Sequence, residues 1–184
     1  MRELIHISET FSNGIDVKML NMGSFDSRAG CYSPSDVCEA NRQLKANCGP
    51  ASFAAICRLP VLQAMRFFPH FPQRDWTTKG DMRKALKSLG VEFRECRENP
   101  PAFGVALLQF RVDDRPLHPL FSLGMTHWVG VWHNSFYDIN WGGWLPISVW
   151  REIVLPRFRY GNRGVYRWGI RDSFEVIDES CWID

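Results

Sequence analysis

The chain has 184 residues, 45% hydrophobic and 23% charged, with a formal net charge of +2. That length suits one domain spanning 1–184 with a self-sufficient core, and that balance excludes a disordered or low-complexity chain. Near-neutrality argues neither for nor against nucleic acid. No run reaches the ~18 consecutive apolar residues of a membrane helix, and residues 1–6 lack the apolar core of a signal peptide, so no membrane association and a cytoplasmic location are expected.

Residues 1–40 form an N-terminal extension without a clear element, broken at Gly14, Gly23, Gly30 and Pro34. A helix is predicted over 48–58: Pro50 sits in a first turn where its missing N–H costs no intrahelical bond, a small apolar stretch follows, and Pro60 stops it. A short helix follows over 61–68, running into a rigid aromatic connector over 67–72. The next helix covers 82–90, with Met82, Leu86 and Leu89 on its apolar stripe and Gly90 as its C-cap. Strands are predicted over 91–97, 103–111, 127–132 and 135–140, the last two forming a hairpin with His133 in the turn. A short helix over 148–155 ends at Pro156, and one or two strands lie within 157–177. Helices early and strands late give an α+β fold in which the 48–58 helix packs on an antiparallel sheet.

The chemistry concentrates in two places. Cys48 stands at a predicted helix start, where unpaired N–H groups and the helix dipole favour a thiolate, and Gly49 lets a substrate approach the backbone. On the hairpin, His127 shares a face with Val129 and Val131, while Asp138 and Asn140 share a face of the next strand because side chains alternate with period two. A histidine and a carboxylate or amide can therefore meet across paired strands. That supplies a base for the thiol and a partner that fixes the imidazole.

Cys48-Gly49-Pro50-Ala51-Ser52, His127-Trp128-Val129 and Asn140-Trp141-Gly142, in that order, resemble the papain-like cysteine peptidases, in particular the bacterial double-glycine leader peptidase branch. The similarity covers roughly residues 40–155. It implies a papain-like fold, a nucleophile at Cys48 and a base at His127. The orienting residue is Asn140 by the likeness of Asn140-Trp141-Gly142 to the papain-like Asn-Ser-Trp-Gly, with Asp138 as second candidate by likeness to the leader-peptidase branch. The family's oxyanion-hole glutamine lies six positions before the cysteine, where this chain has Arg42. Gln43 is one position off and is the chosen donor, joined by the backbone N–H of Cys48, with Asn47 or Arg42 as alternatives. No metal or organic cofactor is implied, and the substrate is an amide bond in a peptide or protein. A protein glutamine deamidase or acyl transferase would use the same residues, and an inactive papain-like binding module is the rival from another class.

Other residues are weaker candidates. His70, His118 and His133 read as loop, turn or packing residues. The six cysteines form no Cys-x-x-Cys pair, so free thiols are expected rather than a disulfide framework or a zinc site. The tryptophans around the hairpin suit either a substrate cleft or a core. Arg157, Arg159, Arg163, Arg167 and Arg171 interleave with aromatic residues. That pattern marks a basic strip for an acidic partner or the solvated face of an edge strand, and nucleic acid is not the expected partner.

Overall fold

The computed structural model describes residues 31–97, 99–111, 126–160, 163–164 and 167–177. Residues 1–30, His118 and Cys181 lie outside them. Among the described residues the fold is α+β: five α-helices and an open six-stranded antiparallel sheet in the order β1-β8-β2-β3-β4-β5, plus a two-stranded ribbon, β6-β7. No helix among the described residues is long and apolar enough to cross a membrane.

The helices are α1 (Val37–Leu44), α2 (Cys48–Cys57), α3 (Val61–Ala64), α4 (Lys79–Leu89) and α5 (Ile147–Ile153). The strands are β1 (Phe93–Cys96), β2 (Phe103–Arg111), β3 (Thr126–Trp132), β4 (Ser135–Asp138), β5 (Gly143–Pro146), β6 (Arg159–Tyr160), β7 (Arg163–Gly164) and β8 (Arg167–Val176). Most predicted elements recur within a few residues. The sequence reading missed α1, which takes in the end of the 1–40 extension, and β5, and it counted too few strands after Pro156.

Local chemistry accounts for the helix ends. In α2 the Asn47 side chain accepts from the Gly49 N–H at 3.1 Å, and Arg58 closes the helix in the left-handed region. Pro60 then opens α3, whose first N–H groups, on Val61 and Leu62, donate to the Asp36 carboxylate at 2.8 and 2.9 Å. Helix α4 starts with a capping box between Thr78 and Asp81 and ends on Gly90 at φ 81°.

Two cores clothe the sheet. On one face Phe103, Val105 and Leu107 of β2, Trp128 of β3 and Phe174 of β8 pack against α2, α3 and α4. On the other, Ala106, Leu108 and Phe110 with Val129 and Val131 pack against Trp150 and Val154 around α5, and against Phe158. In β8, Leu107 pairs with Asp172 and Leu108 with Ile170, leaving Arg171 as the extra residue of a bulge. The bulge inverts the strand's parity, so Trp168 and Ile170 join the α5 core while Phe174 and Val176 join the helical core.

Helix α2 lies inside the helical core, with every residue from Gly49 to Cys57 buried. An apolar helix of small residues is suited to that position because neighbours can approach on all sides. Its first residue, Cys48, is half-buried.

Candidate active site

Cys48 is the first residue of α2 and His127 the second of β3, so both candidate residues stand near element ends. His127 pairs with Leu108 in the β2-β3 ladder, and the rings of Phe158 and Phe110 lie 5.0 and 6.4 Å from its own. These aromatic neighbours leave His127 only 6% exposed.

Asp138, the last residue of β4, is fully buried. Its Oδ2 lies 3.1 Å from His127 Nε2 and accepts a hydrogen bond from Trp150 Nε1 at 2.7 Å. Its Oδ1 accepts from the Asn140 backbone N–H at 2.8 Å. The His127 contact is close in distance but bent in direction, so charge carries it more than a well-aligned hydrogen bond does. The chain then turns back on itself, with the Trp141 and Gly142 N–H groups donating to the Asp138 carbonyl at 3.1 and 2.9 Å.

Of the two orienting candidates, Asp138 is therefore the one against the imidazole. Asn140 meets Asp138 through its backbone N–H. The expected alternation holds for His127, Val129 and Val131 along β3, but Asn140 lies in the turn after β4 and shares no strand face with Asp138: continuing the β4 register past Gly130–Tyr137 would set Asn140 opposite His127, and β4 ends before that pairing forms.

Electrostatics tie the three residues together. Burial pushes the His127 imidazolium down, but the Asp138 carboxylate and Cys48 beside it outweigh burial and raise it to about 10. Burial likewise pushes the Asp138 carboxyl up, and His127, the Trp150 N–H and the Asn140 N–H overcome it, so Asp138 stays below its ordinary value. Cys48 lies near enough to His127 to be among the groups that raise its imidazolium. With Nε2 turned to Asp138, Nδ1 is the nitrogen left to serve the thiol. Burial raises the Cys31 thiol to about 11 and raises the Cys57 thiol further.

The oxyanion candidates are placed differently. Gln43 is exposed on α1, and its Nε2 donates to Glu39 one turn earlier. Arg42 is exposed and paired with the same Glu39. Asn47 is engaged at both ends, accepting from the Gly49 N–H and donating to the Asp75 carbonyl. The backbone N–H of Cys48 lies in the first turn of α2, where helix geometry supplies no intrahelical acceptor.

Gly49 also meets a packing constraint. A Cβ there would lie 2.1 Å from Thr77 Oγ1 and 2.5 Å from Thr77 Cβ, so Thr77 occupies the space that a side chain would need. The tryptophans also resolve into parts. Trp128 and Trp150 are buried and spend their indole N–H groups on the Thr77 carbonyl and Asp138, while Trp144 donates to the Tyr32 carbonyl at 2.9 Å.

The arginines lie on different elements. Arg157 is in a 3-10 turn with its guanidinium 6.0 Å from the Trp141 ring centroid, Arg159 and Arg163 belong to the ribbon, and Arg171 occupies the bulge beside Asp172. Arg157 is adjacent to Phe158, which packs on His127. Of the remaining histidines, His133 is exposed in the β3-β4 turn and His70 lies 3.1 Å from the Trp76 carbonyl.

Among the described residues, Cys31, Cys38, Cys48, Cys57 and Cys96 are free thiols, and no group of three His, Cys, Asp or Glu could hold a metal ion. Sequence reasoning set Trp150 among the tryptophans around the site without its bond to Asp138, and missed Thr77. The chain matches no protein-family model, no curated protein and no solved structure.

Proposed function

We propose that this chain is a papain-like cysteine hydrolase that cleaves an amide bond in a peptide or protein. The observation that carries the reading is the sharing of one buried imidazole, His127, between Cys48 at a helix start and the fully buried carboxylate of Asp138. Isolated buried charges are costly, and here each is compensated by the next.

In this mechanism the Cys48 thiolate attacks the carbonyl carbon, forming an Sγ–C bond and a tetrahedral oxyanion. The Cys48 N–H stabilises that oxyanion. The C–N bond then breaks and His127 gives its proton to the leaving nitrogen, leaving a thioester. Water attacks the thioester while His127 takes its proton, and Cys48 departs from an acid product. Asp138 holds the ring and stabilises the imidazolium throughout. Ammonia as the leaving group would make the reaction a glutamine deamidation, and an amine in place of water would make it an acyl transfer. Arg157, exposed over Trp141 and beside Phe158, offers a counter-charge to an acidic segment of the substrate.

One observation favours a second reading, an inactive binding module on the same fold: Gln43 is turned to Glu39 and exposed. Incubation with a heat-denatured protein mixture separates the two. The hydrolase reading expects new amino termini with the wild-type chain and none with Cys48→Ala, at equal folded content by circular dichroism. Identical termini from both chains would reject it.

A further inference from the structure

Three consecutive carbonyls beside the nucleophile are each held by a side chain. The Asp75 carbonyl accepts from Asn47 Nδ2, the Trp76 carbonyl lies 3.1 Å from His70 Nε2, and the Thr77 carbonyl accepts from Trp128 Nε1 at 2.9 Å. Asn47 precedes Cys48, and Thr77 fills the space beside Gly49, which follows it. The backbone of Trp76 is therefore fastened on both sides of the nucleophile.

Its side chain is not buried by this anchoring. Trp76 is 58% exposed, and the only other large apolar residue so exposed among the described residues is Ile177, just past the end of β8. Arg74 lies 5.6 Å from the indole and is paired with Asp81, so its charge is already met. A rigidly mounted, exposed indole costs little further ordering when it binds, and tryptophan anchors often dominate recognition.

We infer that Trp76 is a specificity-determining residue that seats an aromatic or long apolar side chain of the substrate beside Cys48. The inference rests on the hydrolase reading of the site. Because Arg74 is neutralised by Asp81, the surface offered is the ring, which selects an apolar group over an anionic one.

The test uses iodoacetamide and its N-benzyl derivative. Both form the same Sγ–C bond and release iodide, and they differ only by the ring. Rates at Cys48 are read by peptide mass spectrometry against exposed Cys38 in the same chain. The benzyl reagent should be preferred at Cys48 by roughly three- to tenfold, the range of an aromatic contact. Trp76→Ala should abolish the preference without changing the iodoacetamide rate, and Trp76→Phe should keep part of it. No preference in the wild type, or one that survives Trp76→Ala, would overturn the inference. Slow iodoacetamide labelling of Cys48, equal to that of Cys38, would count against the hydrolase reading instead, and the benzyl preference would still decide the role of Trp76.

Discussion

Asp138→Asn keeps the shape of the side chain and removes its charge. In the native site Oδ2 serves both Trp150 and His127, at 2.7 and 3.1 Å, while Oδ1 serves the Asn140 N–H at 2.8 Å. An amide has only one acceptor oxygen. Placed at the Oδ2 position, it keeps Trp150 and His127 but turns its NH₂ against the Asn140 N–H, a donor facing a donor that costs about 1–3 kcal/mol. His127 also loses its counter-charge, and breaking a buried pair costs about 3–5 kcal/mol. Burial, now less opposed, favours the neutral imidazole and leaves no proton for the leaving nitrogen. Turnover in the Cys48-dependent cleavage assay should fall about 10²–10⁴-fold, the contribution of a positioned acid–base group. Asn140→Ala keeps the backbone N–H and should change turnover by less than about threefold, as expected of a partly exposed residue whose contact is made by the backbone. A near-wild-type rate in Asp138→Asn, or a larger loss in Asn140→Ala, would refute the reasoning and return the orienting role to Asn140.

Three further outcomes are expected. Trp150→Phe removes the N–H that Asp138 accepts and should lower stability by about 1.5–3 kcal/mol in urea titrations; a change below about 0.5 kcal/mol would mean that the bond contributes little. Gly49→Ala drives a methyl into Thr77 and should cost about 1–3 kcal/mol, read as a fall in Tm of roughly 2–12 °C, and an unchanged Tm would mean that the 75–77 segment yields freely. His127 is raised from about 6.5 to about 10, so its stabilisation is complete below the lower value and is lost as pH rises through the higher one; wild-type Tm should fall between these pH values more than that of His127→Gln, and parallel curves would contradict the shift.

Much of the site was legible because it depends on local pattern. Strand parity alone placed His127 with Val129 and Val131, and Asp138 with Asn140 on one face. What parity could not show was where β4 stops: the turn after Asp138 draws the Asn140 side chain out of register, so the likeness of Asn140-Trp141-Gly142 to the papain motif pointed to the neighbour of the contacting residue. Helix α1 left a signal in Val37, Ala40 and Leu44 at helical spacing behind Asp36, but the nearby breakers obscured it. The long-range partners left none. Trp150 reaches Asp138 from α5, and Thr77 reaches Gly49 across 28 residues, through packing that no short window contains. The bulge at Arg171 likewise inverts the parity of β8 partway along, and the turn and ribbon before it put Arg157, Arg159 and Arg163 on other elements, so the alternation does not run through all five arginines.

The central claim is that His127 activates Cys48. Its most direct test is the iodoacetamide alkylation rate of Cys48 at pH 7, resolved by peptide mass spectrometry, in the wild-type chain and in His127→Ala at equal folded content. The account predicts that wild-type Cys48 reacts faster than Cys31 and Cys38, and that His127→Ala slows Cys48 by at least about tenfold while leaving the other two unchanged. Equal Cys48 rates in the two chains would contradict it.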